Sequence, residues 1–356
     1  MYLYTSRTVF RLTWIIALFF IVSGCDSITV RPPSKSPVAA STTEEQILRQ
    51  AEDLYHQGKY KAALPKIQAT LDLNPDNIEA IHAMALSCMA LEQYDKSLEY
   101  SKRAAAYKSE RLEDTYLLMG ASYRQLNDPW NALRTYRFAA GEYPKNAKIQ
   151  YRLGDTYVYL GKPELASDAF KAAILADPDD AAPHYQLGMI YYAYDYHTPA
   201  ILALSTSLLF EPVQPSAVLI IKDIIELLGR DPESDKSDEG DFDVVDTALA
   251  EKRAAQSNSN PEHAFDTLKA QYRTLFTQLN TANISKQKTF VIDNYVHLYN
   301  KIHSQQLDET FVYYIFQASK DKNVSKWLKE HPGKVRQLKQ LITKTVQPDS
   351  TKETER

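Results

Sequence analysis

One pattern of small and large apolar positions recurs five times between Glu44 and Pro212, with a period of 34 residues. Repetition at such a period is typical of a solenoid, in which each unit is one supersecondary element stacked on its neighbours. The register is set by prolines at equivalent positions: Pro144, Pro178, Pro212 and, once one extra residue is allowed near Ser109, Pro75. Because proline cannot continue a helix, each of these residues marks the end of a helical unit. The spacing therefore predicts five stacked units, each made of two helices.

Small residues occupy three positions of every unit. Fourteen of the fifteen residues at the eighth, twentieth and twenty-seventh positions are Gly, Ala or Ser. The eighth position holds Ala51, Ala85, Gly120, Gly154 and Gly188. The eleventh position carries larger side chains, namely Leu54, Cys88, Tyr123, Tyr157 and Tyr191. The twenty-fourth position does so in four units, with Ile67, Tyr136, Phe170 and Leu204. Two helices approach closely only where their side chains are small, so these positions predict the crossings within each unit.

This arrangement resembles the tetratricopeptide repeat, and the resemblance covers about half of the chain. It implies an all-α fold, a solenoid of helix-turn-helix units. The chain departs from the usual pattern at the fourth position, where only Tyr116 keeps the expected aromatic residue. The other four units have Ile47, Ile81, Gln150 and His184 there.

The first 24 residues have the pattern of a signal peptide. Arg7 and Arg11 precede an apolar run of eleven residues, 12–22, which is shorter than the ~20 residues that span a bilayer. The sequence around Cys25, Val-Ser-Gly-Cys, resembles the lipobox of bacterial lipoproteins. That resemblance implies a mature chain that begins at a lipidated Cys25 and is anchored in the bacterial cell envelope. Asp26 resembles a signal for retention at the inner membrane, and the choice of membrane stays open. The alternatives are an ordinary secretory signal and a short uncleaved anchor.

Residues 25–43 are rich in Ser, Thr, Pro and Ala and show no apolar periodicity, so we expect a flexible linker. It would hold the repeats, residues 44–213, away from the lipid. The other cysteine, Cys88, falls at a crowded position of a repeat helix. A small core residue is therefore the interpretation that we favour for it over a nucleophile.

The chain after the repeats is expected to stay helical. Residues 214–230 continue the repeat frame and predict a helix that caps the end of the solenoid. Residues 231–243 hold seven acidic residues and one lysine, which indicates a solvated acidic hinge rather than a calcium loop. Residues 244–346 predict a small helical domain and residues 347–356 a disordered tail. The expected helices of that domain are 244–255, 261–279, 285–303, 308–317, 324–330 and 333–345, and the last two present a basic face.

The sequence offers no pattern typical of catalysis. It has no glycine-rich phosphate loop, no pair of histidines at metal spacing and no nucleophile elbow. The nearest approach to a catalytic pair is His297 with Asp293, one helical turn apart, which more often is a local hydrogen bond. We therefore expect no enzyme, no cofactor and no metal site. The formal net charge of -4 and the signal peptide also argue against a nucleic-acid partner.

This leaves a protein or peptide as the expected partner, and the resemblance implies where it binds. In tetratricopeptide arrays the first helices line a concave groove through their second, fifth, sixth, ninth, twelfth and thirteenth positions. Here these positions give His82, Leu86, Met89, Leu117, Arg124, Tyr151, Arg152, Tyr159, Tyr185, Gln186, Met189 and Tyr192. Such a groove fits an apolar segment anchored by Tyr and Met, with an acidic contact to Arg124 or Arg152.

Two functions are compatible with these features. The first is a membrane-anchored envelope scaffold or adaptor that holds a partner segment in the groove. The second is a structural or self-associating envelope protein whose groove is filled by its own C-terminal domain or by a second copy of the chain.

Overall fold

The computed structural model describes residues 30–230, 239–256, 264–281 and 283–346. In these ranges the chain is helical, as the repeat pattern predicts. The signal peptide, Cys25, most of the acidic hinge and the C-terminal tail lie outside the described residues. Within the described residues, no helix has the length and apolar character needed to cross a membrane.

Five helical pairs follow one another along the repeats. Their helices are α1 (Thr42–His56), α2 (Tyr60–Leu73), α3 (Ile78–Ala90), α4 (Tyr94–Ala104), α5 (Leu112–Gln125), α6 (Pro129–Glu142), α7 (Ala147–Tyr159), α8 (Pro163–Ala176), α9 (Ala181–Ala193) and α10 (His197–Phe210). The capping helix is α11 (Ala217–Gly229).

The first helices of the second and fourth units begin in the same way, because an asparagine caps each of them. Asn77 and Asn146, each immediately before a first helix, accept a hydrogen bond from the backbone N–H three residues on, at 3.0 Å in both cases. Such a cap satisfies a backbone donor that has no partner inside the helix. The turn between the two helices of a unit has a left-handed residue at the fifteenth position in every unit, from Gly58 to Asp195.

The predicted crossing points lie where the helices of a unit meet. A Cβ atom built on Gly154 would lie 2.6 Å from the ring of Phe170, at the twenty-fourth position of the same unit. One built on Gly188 would lie 2.8 Å from Leu204. A Cβ atom at these glycines would overlap the residue at the twenty-fourth position, whereas the first unit has Ala51 at the eighth position and Ile67 at the twenty-fourth.

The C-terminal region folds back onto the end of the array. Its helices are α12 (Asp243–Gln256), α13 (Ala264–Thr281), α14 (His297–Ser304), α15 (Asp308–Ile315), α16 (Lys322–Glu330) and α17 (Pro332–Val346). A π-helical turn, Ile292–Val296, leads directly into α14. The predicted helix 285–303 thus begins later than expected, because residues 283–286 form a separate 3-10 turn.

Tyrosines of the C-terminal helices contact polar groups of the last unit. The hydroxyl of Tyr272 lies 2.6 Å from the Oγ of Ser205, and that of Tyr299 donates to the carbonyl of Leu202 at 3.1 Å. These contacts bury α10 on all sides, from His197 to Leu209. One continuous hydrophobic core then runs from the third unit into α17.

Two segments differ from the sequence-based expectation. Within the predicted linker, the backbone N–H groups of residues 34 and 35 both donate to the carbonyl of Ala106, and the N–H of Lys108 donates back to Lys35. The array also begins at Thr42 rather than at Glu44.

The second difference is in the acidic hinge. Glu239 is buried, not solvated, because it pairs with Lys171 of α8. Its carbonyl also accepts a hydrogen bond from the hydroxyl of Thr289, at 2.5 Å. The residues of the hinge before Glu239 lie outside the described part of the chain.

Candidate binding face

The first helices of successive units are neighbours, so their outward positions form one surface. We call this surface, contributed by α1, α3, α5, α7, α9 and α11, the first-helix face. It corresponds to the predicted groove. Along it the fifth positions form a row that is apolar except at His82: Leu48, His82, Leu117, Tyr151, Tyr185 and Leu219.

The two ends of this row differ in accessibility. Leu48 and His82 are buried, and the Nδ1 atom of His82 lies 3.2 Å from the hydroxyl of Thr115. Burial, followed by the charge of Arg111, lowers the pKa of His82. His82 was predicted to line the groove, but as a buried neutral side chain it does not reach the surface. From Leu117 to Leu219 the row is accessible, and Leu219 is 61% exposed.

Of the two predicted arginines, one is already engaged. The guanidinium carbon of Arg124 lies 4.2 Å from the ring centroid of Tyr159, and its Nη2 atom lies 3.5 Å from the carboxylate of Asp155. Tyr159 in turn donates a hydrogen bond to Asn127, at 3.1 Å. This cluster joins α5 to α7 and leaves Arg124 little freedom to meet a ligand.

Arg152 is placed differently. It is exposed, and its guanidinium carbon lies 5.7 Å from the ring of the adjacent Tyr151. Within the part of the chain that the structure describes, Arg152 has no salt-bridge partner. Tyr151 is held from behind by the ring of Phe170, with centroids 5.7 Å apart. An exposed cation beside a fixed aromatic ring suits an acidic group on a partner.

Tyrosines and carboxylates occur together on α9 and α11, the last two helices of the first-helix face. Arg230 donates to the hydroxyl of Tyr192 at 2.8 Å and also pairs with Glu226. Burial, followed by the charge of Glu226, raises the pKa of Asp223. Burial, followed by the charges of Asp223 and Tyr151, raises the pKa of Tyr185.

The remaining predicted residues share the same face. Leu86, Met89, Gln186 and Met189 are half-buried. The sequence reasoning missed Asp155 on α7 and Leu219, Asp223 and Glu226 on α11. The signal was available, because these residues occupy the same positions of the frame, which continues into α11.

Within the described residues, no group of three or more His, Cys, Asp or Glu side chains is arranged to hold a metal ion. His297 and Asp293 are both exposed and lie 3.9 Å apart. This separation is longer than a hydrogen bond, and the two side chains lie away from the first-helix face.

The repeats are similar in sequence to known proteins. Residues 123–193 match the family model described as tetratricopeptide repeat. A member of the BBSome complex, BBS4 of Bos taurus, is 24% identical over 165 residues, which cover 46% of this chain and 31% of that protein. The chain thus spans about a third of the length of this curated relative.

Solved structures of other repeat proteins are also similar. YrrB, whose structure is described as that of a protein with an unusual peptide-binding site, is 19% identical, covering 51% of this chain and 94% of its own, with a TM-score of 0.42. The pilF protein of Pseudomonas aeruginosa is 14% identical, covering 52% of this chain and 88% of its own, with a TM-score of 0.42. MamA is 18% identical, covering 45% and 94%, with a TM-score of 0.41.

The family match spans the third to fifth units, and in those units a glycine at the eighth position meets a large residue at the twenty-fourth. Residues 123–193 thus match the tetratricopeptide repeat, and the five helical pairs of this chain repeat the same two-helix unit in an all-α solenoid.

Proposed function

We propose that this protein is a membrane-anchored envelope scaffold that binds a segment of a partner protein on the first-helix face. The observation that carries the proposal is the partly exposed row from Leu117 to Leu219, which includes the ring of Tyr185 and the ring of Tyr151 that packs on Phe170. Partly exposed aromatic side chains on a rigid scaffold are typical of residues that contribute most to binding energy. A non-enzymatic, protein-binding role is what tetratricopeptide repeats generally support.

The charges beside this row favour a particular partner chemistry. Arg152 suits an acidic residue of the partner, whereas Asp223 suits a basic residue or an N–H donor two units further along. Between them, Tyr151, Tyr185 and Leu219 suit apolar side chains. The partner segment is thus amphipathic, with an acidic group on one side of an apolar stretch and a donor on the other.

Binding assays with envelope extract test this role. Changing Tyr151, Tyr185 and Tyr192 together to Ala is expected to abolish capture of the partner while the helical circular dichroism signal persists. Arg152→Glu is expected to weaken binding of the captured partner about tenfold, since it reverses one accessible charge. Arg137→Glu, on the exposed side of α6, is the matched control. Equal losses with Arg137→Glu, or unchanged capture by the tyrosine variant, would contradict the proposal.

The membrane anchor has its own test. Cells grown with an alkyne analogue of palmitate should label the wild-type chain and not Cys25→Ser. A variant that still carries the label would assign the lipid to another residue, and an unlabelled wild type would leave an ordinary secretory signal or a short anchor.

A self-associating protein is the second candidate. The C-terminal helices contact α10 and Lys171 of α8, and they also reach α11, where Gln271 donates to the carbonyl of Leu228 at 3.0 Å. For this candidate the groove would hold the C-terminal region or a second copy of the chain. Light scattering on the purified protein distinguishes partner binding from self-association. A stable dimer that dissociates when Tyr151, Tyr185 and Tyr192 are changed to Ala would favour self-association.

A further inference from the structure

The helices α16 and α17 carry a strong excess of positive charge. Eight Lys and Arg residues and two acidic residues lie between Lys320 and Lys344, although the whole chain has a formal net charge of -4. Such a local excess, opposite in sign to the rest of the chain, is typical of a segment that meets an anionic surface. The partner site on the first-helix face does not use this segment.

The lysines of α16 form one stripe along its outer side. Lys322, Lys326 and Lys329 are four and three residues apart, so they lie on the same side of the helix, and all three are exposed. Val324, on the opposite side, is buried. Among the described residues, Lys326 lies 4.0 Å from the carboxylate of Glu330, whereas Lys322 and Lys329 have no salt-bridge partner. The stripe therefore presents largely unpaired charge to the outside.

The exposed side of α17 adds to this charge. Arg336, Lys339 and Lys344 are exposed, whereas Leu338 is buried. Residues 331–346 contain no Asp or Glu, so no carboxylate of this helix neutralises the cations. We call the exposed lysines and arginine of α16 and α17 the basic face.

The helix α15 holds both helices by their other sides. The ring of Trp327 stacks on that of Tyr313 of α15, with centroids 4.2 Å and planes 4° apart, and also on that of His331, with centroids 4.2 Å apart. On α17 the Nζ atom of Lys339 lies 5.4 Å from the ring centroid of Tyr314 of α15. Because their apolar sides are packed in this way, α16 and α17 offer a partner charge rather than apolar surface.

The composition of the basic face favours a particular kind of anion. Seven of the eight cations between Lys320 and Lys344 are lysines. Arginine recognises one carboxylate or phosphate in a fixed geometry through two parallel hydrogen bonds, whereas lysine is a flexible point charge. Rows of flexible lysines therefore match a layer of mobile phosphate groups better than single acidic side chains of a folded partner.

We propose that the basic face binds the anionic phospholipid headgroups of a membrane surface. It would be a second contact beside the lipid at Cys25, and two such signals anchor a protein more stably than one. The nearby bilayer rests on the proposed function, but the charge contact itself does not need the lipid. Each lysine near an anionic surface strengthens such a contact about fivefold, and salt weakens it.

Hydrogen exchange of the full chain on vesicles tests the basic face. The chain is mixed with vesicles of phosphatidylcholine, either alone or with about 30% phosphatidylglycerol. Amides of α16 and α17 should exchange at least about fivefold more slowly on the anionic vesicles, as expected if opening breaks at least one lysine contact. Salt at about 1 M, where the Debye length is ~3 Å, should abolish the difference. Amides of α1 to α4 should exchange equally on both kinds of vesicle.

Two variants with equal total charge show whether the position of the lysines matters. Changing Lys322, Lys326 and Lys329 together to Gln should abolish the slower exchange on anionic vesicles. The control variant should keep it, and it changes three exposed lysines of the first two units to Gln: Lys59, Lys61 and Lys96. Because all six side chains are exposed, circular dichroism should show the same helix content in both variants.

Equal exchange on the two kinds of vesicle, or slower exchange that persists without Lys322, Lys326 and Lys329, would overturn the proposal. Slower exchange with a soluble polyglutamate peptide but not with anionic vesicles would assign the basic face to an acidic protein, and would overturn it too. The lipid anchor fails separately. A wild-type chain that takes up no palmitate analogue, but whose α16 and α17 are protected on anionic vesicles, would refute the anchor and support the basic face.

Discussion

The eighth position of each unit is adapted to the residue that it meets. Gly154 lies against Phe170, with space for no further carbon atom, whereas Ala51 lies against Ile67. Gly154→Ala is therefore expected to destabilise the protein by about 1–3 kcal/mol, the usual result of overpacking a core. Chemical denaturation followed by circular dichroism measures this.

Two variants serve as controls for that prediction. Gly141 lies in α6 with nothing near its Cβ position, so Gly141→Ala should stabilise by about 0.5–1 kcal/mol. Phe170→Ile combined with Gly154→Ala copies the Ala51 and Ile67 pair of the first unit, and should recover part of the loss. Additive effects in this double-mutant cycle would contradict the direct contact.

The fourth position shows why two units do without an aromatic residue. His184 directs its Nε2 atom at the carbonyl of Pro178, 2.9 Å away, and Gln150 donates to the carbonyl of Pro144 at 3.1 Å. A carbonyl only accepts, so His184 carries its proton on Nε2. Its Nδ1 atom lies 3.0 Å from the hydroxyl of Tyr295 and accepts from it. Both side chains thus hold the loop that precedes their own helix.

This arrangement makes stability depend on pH. Burial lowers the pKa of His184 to about 4, from about 6.5 in an unfolded chain. Between these values the unfolded state binds a proton that the folded state does not, so stability falls as the pH falls. Between pH 7 and pH 4.5 the free energy of unfolding of the wild type should therefore fall by about 2–3 kcal/mol more than that of His184→Gln, a variant that copies Gln150. Urea unfolding at both pH values measures it, and identical losses in the two proteins would contradict the neutral buried state.

At the scale of helices, the turn within each unit needs a left-handed residue. Gly58, Asn127, Gly161 and Asp195 are suited to this conformation, whereas Glu92 adopts it with φ of 59°. Glu92→Gly should therefore stabilise the protein by about 1 kcal/mol, and Gly161→Ala should destabilise it by a similar amount. Thermal unfolding of both variants is the measurement. A lower midpoint for Glu92→Gly would mean that the Glu92 side chain makes a stabilising contact.

The helix α10 shows what joins the repeats to the C-terminal region. Its Ser, Thr and His side chains would be surface residues in an open array, but here they meet hydroxyl and carboxylate groups. His197 and Thr198 both contact the carboxylate of Asp246 on α12, at 3.0 and 2.5 Å. The shared contact with Asp246 fixes the position of α12 against α10.

For the whole molecule, the packing divides the array into two parts. One core contains residues 48–107 of the first two units, and a second core runs from the third unit to α17. Between them, Leu98 and Ala105 of the second unit pack on the second core, and polar contacts lie beside them. The hydroxyl of Ser122 donates to Ser97 at 3.0 Å, and His82 meets Thr115. The first two units therefore depend on fewer apolar contacts than the rest.

We expect this division to appear in hydrogen exchange. In repeat proteins, stability is close to a sum of unit and interface terms, so a weak interface lets one end open separately. Amides of α1 to α4 should exchange faster than those of α9 and α10, which the C-terminal helices cover. Uniform protection across α1 to α10 would mean that the boundary between the second and third units is as stable as the other boundaries.

The sequence predicted the repeats well because their signal is local and recurs in register. The crossings at Gly120, Gly154 and Gly188 followed from spacing alone. The docking of the C-terminal helices did not, because it depends on pairs such as Ser205 with Tyr272 that are far apart in the chain. The same limit applies to the first-helix face. The repeat frame predicted both Arg124 and Arg152. Only the structure shows that Arg124 contacts Tyr159 and Asp155, whereas Arg152 has no salt-bridge partner among the described residues.

The most direct test of the central claim is crosslinking in cells from a photoreactive residue at position 185, on the first-helix face. A second probe replaces Trp130, which is 55% exposed on α6. We predict one specific protein adduct from position 185, lost when Arg152 is changed to Glu, and no equivalent adduct from position 130. Equal adducts from both positions, or an adduct at position 185 that survives the change of Arg152, would contradict a partner site on this face.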